Sequence, residues 1–411
     1  MTKRIILLLT LVSYQIIALA QNSYTISGTV KDAKETLPGA AVYLGGYKIS
    51  TVTDVNGKFT LPKLAPGNYD VLVQMIGYTP YSKSVEITDK SIAIDILLKQ
   101  NTTFLNEVVI KPDPNRAYHL ALFKDFFIGK TPNATQSRIL NPQVLTFDDN
   151  KQTQMLTTNA SDFLLIENKA LGYNIRYLLS FFEYDYRTKI FYYGGVPHFE
   201  EMEGSKSKQK QWQKKREIAY NGSIQHFYKS LYAKTIDKEG FVIHKLSKSI
   251  NKDRPSDSLI NANVKRLTTG KAGLNNVITF NATGNDSLSF WLKERKKPKE
   301  LAVLNRQKID LDTLVKQYNS DLKMMDFDDE LYIVYKNELE SETYNISGLR
   351  QNRPMDLANY QISVIQLMER PVRFYRNGGV LNPRSVLHKG FWAYEKVADM
   401  VPIDYILPDK K

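Results

Sequence analysis

The chain contains no cysteine. Disulfides, thiolate metal sites, cysteine nucleophiles and a lipid-modified N-terminal Cys are therefore excluded, and stability has to come from apolar burial. Histidine is scarce as well. His119, His198, His226, His244 and His388 are the five present, no two of them stand at metal-ligand spacing, and His-Glu-x-x-His does not occur. The Gly-x-Ser-x-Gly elbow, the Gly-rich phosphate loop and the dinucleotide fingerprint are missing too, so each enzyme class defined by such a motif is removed. After the N-terminus there is no further run of about 18 apolar residues, which excludes a helical membrane span there. No period of 20 to 50 residues recurs, so a solenoid or propeller is excluded.

What is present begins with an address. Lys3-Arg4, the apolar stretch from Ile5 to Ile17 and Ala18-Leu19-Ala20 form the basic, apolar and small-residue parts of a secretory signal peptide, with cleavage expected before Gln21. The expected location is the periplasm or the outer membrane. Net charge is +13, of which Lys3 and Arg4 supply two, so that +11 remains on the exported chain. The excess gathers at residues 206–216 and 293–299. In an exported protein such runs point away from nucleic acid and towards an acidic glycan or lipid head group, unless they are simply a solvated face.

Residues 24–99 alternate with period two: Tyr24, Ile26 and Val30; Val42 and Leu44; Phe59 and Leu61; Tyr69, Val71, Val73 and Met75; Val85 and Ile87; Ile92, Ile94, Ile96 and Leu98. Leu37-Pro38-Gly39, Asp54-Val55-Asn56-Gly57 and Ala65-Pro66-Gly67-Asn68 separate the runs as turns. The pattern predicts a seven-stranded antiparallel β-sandwich. Asp54-x-Asn56-Gly57 lacks the later acidic ligands of a calcium loop and reads as a hairpin turn with Gly57 at positive φ.

Ile26-Ser27-Gly28-Thr29-Val30, Pro38-Gly39-Ala40-Ala41-Val42, Thr53-Asp54-Val55-Asn56-Gly57-Lys58-Phe59, Leu64-Ala65-Pro66-Gly67-Asn68-Tyr69 and Ile76-Gly77-Tyr78 resemble, in that order, the carboxypeptidase-regulatory-like domain, a transthyretin-type sandwich. The resemblance implies a scaffold or binding module, because the namesake peptidase activity belongs to a separate zinc domain. Leu105-Asn106-Glu107-Val108-Val109-Ile110 is similar to the segment between this sandwich and the plug of TonB-dependent receptors, but no plug and barrel follow. It is read as an edge strand before the linker Lys111-Pro112-Asp113-Pro114.

The expected division is signal peptide 1–20, sandwich 21–100, edge strand and linker 101–114, and one β-rich α+β domain over 115–411. In that domain the spacing predicts a helix from about Asn115 to Gly129, helix over 206–232 broken near Asn221-Gly222, and strands near 143–147, 163–166, 173–186, 190–193, 241–246, 277–280, 331–335, 360–367 and 372–375. Arg376-Asn377-Gly378-Gly379 predicts a hairpin turn. Phe126-Phe127-Ile128-Gly129, Ile139-Leu140-Asn141-Pro142, Ala219-Tyr220-Asn221-Gly222-Ser223 and Gly390-Phe391-Trp392 resemble uncharacterised Gram-negative envelope proteins that carry the same sandwich.

No residue is nominated for catalysis, cofactor binding or metal ligation, and no cofactor is expected. Ser223 and His226 share a helix face but lack an orienting acid, and Asp326, Asp328, Asp329 and Glu330 are adjacent residues that point apart on a turn. Two surfaces are nominated for binding: a polyanion contact of Lys206, Lys208, Lys210, Lys214, Lys215 and Arg216, with Lys296, Lys297 and Lys299 adjacent, and an aromatic platform of Tyr184, Tyr186, Tyr192 and Tyr193 suited to stacking on sugar rings. The expected function is a non-enzymatic exported envelope protein that binds a protein or anionic glycan partner. An envelope hydrolase without a recognised motif is the alternative.

Overall fold

A computed structural model describes residues 23–101, 114–269 and 286–408. The signal peptide, almost all of the linker with Leu105 to Ile110, and the strand expected at 277–280 lie outside the described residues.

Alternation builds the first unit. Strands β1 (Ile26–Lys31), β2 (Ala41–Leu44), β3 (Ser50–Val52), β4 (Lys58–Thr60), β5 (Gly67–Gln74), β6 (Tyr81–Ile87) and β7 (Ile92–Leu97) form two sheets in the orders β4-β1-β7 and β3-β2-β5-β6. Ile26, Val42, Leu44, Val71, Val73 and Ile96 meet between them as the core. Six strands fall on the alternating runs, β3 is a seventh that no run marked, and one pairing departs from the antiparallel expectation. Strand β7 runs parallel to β1, from Ile26 opposite Ile92 to Lys31 opposite Leu97, because the chain crosses from the β6 edge of one sheet to the other before β7 begins. Gly57 holds φ +72°, and Asp54 Oδ1 accepts from the backbone N–H of Asn56 and Lys58 at 2.9 and 2.8 Å. The Asp54 carboxylate is thereby consumed by the turn.

The region after residue 114 has two main cores. Helix α1 (Arg116–Phe127) ends before Gly129, at φ +104°. It lies on a sheet of β8 (Ser137–Ile139), β9 (Leu145–Asn150), β10 (Met155–Ala160), β11 (Leu164–Asn168), β12 (Tyr173–Asp185) and β13 (Phe191–Glu201). Strand β12 is long enough to share one edge between β11 and β10 while β13 follows the other. Phe123 packs on Phe182 with ring centroids 4.9 Å apart, and Phe127 on Tyr177 at the same separation.

Helices α2 (Lys206–Tyr220) and α3 (Ile224–Ala233) follow, broken at Asn221-Gly222 as expected. The second core joins α3 to two sheets through Phe227, Tyr228 and Leu231. One sheet has the order β15-β14-β18-β19-β21, from β14 (Phe241–Ile250), β15 (Glu300–Asn305), β18 (Glu330–Leu339), β19 (Tyr360–Leu367) and β21 (Val386–Gly390). The other has the order β16-β17-β20, from β16 (Val315–Gln317), β17 (Leu322–Met325) and β20 (Val372–Tyr375). Between β14 and β15 the described residues include two helices absent from the expected elements, α4 (Asp257–Thr269) and α5 (Asp286–Lys296).

The sandwich is docked on the rest. Tyr43 and Leu72, on the outer face of its larger sheet, are buried against Phe163 with Leu178 and Val196. Gly46 N–H donates to the Pro197 carbonyl at 2.5 Å, and Gly46 O accepts from Ile403 N–H at 2.7 Å. Ile403 belongs to a strap, residues 396–406, that runs from the α1 core to the sandwich. Val397 and Ala398 enter that core, and Asp399 accepts from Thr131 Oγ1 at 2.9 Å and Asn133 Nδ2 at 3.0 Å.

Candidate binding groove

Helix α2 is fixed by two side chains. Trp212 is buried and donates from Nε1 to the Lys169 carbonyl at 3.0 Å. Arg216 donates from Nε to Leu171 O at 2.7 Å and from Nη2 to Gly172 O at 3.0 Å, with its guanidinium 3.9 Å above the Tyr173 ring. Gly172 at φ +70° leaves the room for this, since a Cβ there would stand 2.2 Å from the Trp212 ring.

Anchored in this way, α2 forms one wall of a groove of about 710 Å³. Lys206, Gln209, Lys210, Gln213 and Arg216 line that wall, Lys48 of the sandwich and Tyr173 and Glu201 of the β12–β13 pair line another, and Asp404, Tyr405 and Ile406 of the strap close it. Glu201 accepts from Lys48 Nζ at 2.9 Å and lies 3.4 Å from Arg216 Nη1. Burial pushes its carboxyl up, and the Lys48 hydrogen bond with the Arg216 charge more than offsets this, leaving it below its ordinary value. Lys206 and Lys210 have no ion-pair partner among the described residues. They stand at the N-terminal end of α2, where Ser205 Oγ accepts from Lys208 N–H at 3.4 Å and the first turn holds no acid. Helix N-termini favour anions, so lysines placed here add to a positive potential that carboxylates ordinarily cancel. Asp404 Oδ1 and Tyr405 Oη are enclosed without a hydrogen-bond partner among the described residues, and burial pushes the Tyr405 hydroxyl up to about 12.

The structure divides the nominated polyanion contact. Lys206, Lys210 and Arg216 reach the groove, with Arg216 occupied by carbonyls and Glu201. Lys208 lies on another face with its ammonium 5.6 Å over Trp212, and Lys214 and Lys215 are outside the lining. Lys296, Lys297 and Lys299 sit at the α5–β15 junction and contribute nothing to the groove. Lys48, Gln209 and Gln213 were not anticipated. Nothing in the sequence marks Lys48, which meets Glu201 only because the β2–β3 hairpin docks on β13.

The four tyrosines do not share a surface. Tyr184 is 5% exposed and stacks on Phe126 at 4.9 Å, Tyr186 meets Tyr184 edge-on at 5.1 Å, and Tyr193 stands edge-on to Phe127 at 5.2 Å. These three pack against the core beneath α1, while alternation along β13 turns Tyr192 to the opposite face, across from Glu183. Ser223 and His226 are structural: Ser223 Oγ donates to Tyr220 O at 2.7 Å and caps α3, and His226 Nδ1 accepts from Gly222 N–H at 3.2 Å. Of the acidic cluster, Asp326 and Asp328 are each 2.6 Å from Arg370, Asp329 is 3.6 Å from Lys245, and Glu330 is 2.8 Å from Lys389.

The sandwich with its parallel β1·β7 pair carries a family match. Residues 26–110 match the CarboxypepD_reg-like domain family. Among curated proteins the chain is similar to Structural protein 27 of a virus, isolate Australia/Victoria, being 25% identical over 132 residues that cover 31% of this chain and 26% of the viral protein. The chain thus spans about a quarter of that relative's length. Solved structures with local similarity include a type II cohesin–X-dockerin complex from Acetivibrio cellulolyticus, 25% identical over 19% of this chain and 58% of that one, with a TM-score of 0.18. A 5-hydroxyisourate hydrolase from Klebsiella pneumoniae is 14% identical over 19% of this chain and 98% of its own, TM-score 0.16. A DUF3823 family protein from Bacteroides ovatus is 10% identical over 45% of this chain and 83% of its own, TM-score 0.17. The CarboxypepD_reg-like domain supplies Lys48 to the groove and docks through its outer sheet face. Among the described residues no helix is long and apolar enough to cross a membrane.

Proposed function

We propose that this is an exported envelope protein that binds an acidic glycan chain in the groove between its CarboxypepD_reg-like domain and α2. The observation that carries the reading is the pairing of Lys206 and Lys210, which lack carboxylate partners among the described residues, with a helix N-terminus whose first turn holds no acid. Gln209, Gln213 and Tyr405 add the neutral hydrogen-bonding groups and aromatic surface that sugar hydroxyls and ring faces need. The leader at Lys3 to Ala20 supports export.

Polygalacturonate is a suitable probe, with dextran as its uncharged counterpart. Binding should weaken steeply with salt, because surface attraction is screened over a Debye length of about 8 to 10 Å at physiological ionic strength. The double variant Lys206→Glu, Lys210→Glu should lose about tenfold or more in affinity with an unchanged thermal midpoint. Undiminished binding by that variant, or equal binding to dextran, refutes the groove. Mass spectrometry of native protein should give a chain starting at Gln21, and a mass retaining Met1 to Ala20 refutes cleaved export.

A further inference from the structure

The arm formed by the end of β14, α4, α5 and β15 is built unlike the rest of the molecule. Its base is stapled by polar contacts: Asn251 Nδ2 donates to Pro298 O at 3.0 Å, Arg254 Nε donates to Lys297 O at 2.9 Å, and Asp257 pairs with Arg254 at 2.6 Å and with Lys299. Few of its described apolar side chains are enclosed. Ile260 is buried, whereas Ile250 is 79% exposed, Phe290 and Val303 are each 49% exposed, and Leu301 is 42% exposed. Strand β15 is an edge that pairs only with β14 among the described residues.

The charges of the arm complete the pattern. Asp257 and Glu294 are used internally, the latter by Lys297 at 2.7 Å. Lys252, Lys293, Arg295 and Lys296 have no ion-pair partner among the described residues, and Asp253 and Glu300 are the acids left exposed beside them. Cations without partners near exposed Phe, Leu and Val side chains are what an interfacial segment presents to a lipid surface: aromatic and aliphatic groups enter the head-group boundary, and Lys and Arg meet the phosphates. Leu301 and Val303 share one face of the β14–β15 pair, whereas Ile250, opposite Glu300, lies on the other. A soluble acidic polymer would use the cations and leave Phe290, Leu301 and Val303 in water. We propose that the arm docks on an anionic glycerophospholipid bilayer, through α5 and the adjoining edge of the β14–β15 pair. The inference stands on residues separate from the groove and does not depend on the glycan reading.

The chain provides its own reporter. Of its three tryptophans, Trp212 and Trp392 are 4% and 2% exposed, whereas Trp291 lies half-buried on α5 with its ring 5.3 Å from Phe290. The protein from Gln21 onward, which omits the apolar leader, is mixed with vesicles of phosphatidylglycerol in phosphatidylcholine and with vesicles of phosphatidylcholine alone. Co-sedimentation is expected only with the anionic vesicles, together with a blue shift of emission and quenching by brominated lipid that Trp291→Phe removes while binding persists. Reversing Lys293, Arg295 and Lys296 to Glu should weaken partitioning by about 100-fold, at about fivefold for each cation lost from an anionic surface. The groove variant Lys206→Glu, Lys210→Glu should partition normally. Equal binding to both vesicle types, unchanged binding by the arm variant with near-UV circular dichroism intact, or loss of binding in the groove variant alone overturns the proposal.

Discussion

His388 faces Tyr228, with Nε2 3.2 Å from the phenol oxygen, and lies beside Trp392 at a ring separation of 5.7 Å. Burial, helped by the charge of Lys396, pushes its pKa down to about 3. In the unfolded chain an imidazole takes a proton near pH 6.5, whereas the folded protein refuses it until far lower pH. The stability contributed by this group is therefore present above about pH 6.5 and is lost progressively as pH falls towards 3. His388→Asn lacks that titration, so the stability difference between wild type and variant in denaturant melts should narrow from pH 7 to pH 5; a constant difference would show that His388 titrates normally. Gly57 gives a second test. At φ +72°, with a Cβ position only 2.7 Å from Val30 O, it tolerates no β-branched side chain, and Gly57→Val should lower stability by about 2 kcal/mol or more. An unchanged denaturation midpoint would contradict the turn geometry.

Helix α2 carries a mismatch that can be measured. Ser205 is its N-cap, and the residue three positions on, where a capping box places Glu, is Lys208. Lys208→Glu completes the box and complements the helix dipole, so the variant should be more stable by about 0.5 to 1 kcal/mol in thermal or chemical melts. A destabilised variant would mean that the Lys208 contact with Trp212 outweighs the cap. Elements with a buried face were the legible ones. The sandwich strands alternate because each has one side in a core, and α2 and α3 show helical spacing because Trp212, Phe227 and Leu231 all point inward. Helix α4 was legible and overlooked, since Ile260, Val264 and Leu267 stand at i, i+4 and i+7, whereas α5 mixes Leu288, Phe290, Trp291 and Leu292 with charges and shows no comparable stripe. The tyrosines of β12 and β13 misled for another reason: alternation separates two faces of a strand, but it does not say which face a distant helix such as α1 will cover.

Across the whole molecule, the sandwich is complete in its core and dependent in its position. Residues 23–101 expressed alone should unfold cooperatively, and the exposed Tyr43 and Leu72 face should make the fragment prone to self-association in sedimentation experiments; a monomeric, non-cooperative fragment would contradict both expectations. Gly45 reports on docking, since a Cβ there would stand 2.2 Å from Val196 Cγ1. Gly45→Ala should increase amide exchange over residues 43–48 and weaken polygalacturonate binding through displacement of Lys48, while amides of β1 and β7 stay protected. The groove was only half visible in the sequence for the same reason. The α2 lysines form a local run, but Lys48, Glu201 and Tyr405 are brought together by docking, and no local pattern encodes an encounter between residues 48 and 404.

The strap at residues 396–406 gives the molecule an order of events. It enters the α1 core through Val397 and Ala398, Ile403 bonds to the sandwich hairpin, and Lys229 Nζ of α3 holds the Ile403 carbonyl at 2.7 Å. These residues leave the ribosome after every element they join. Until they arrive, the groove lacks the wall that Asp404, Tyr405 and Ile406 provide.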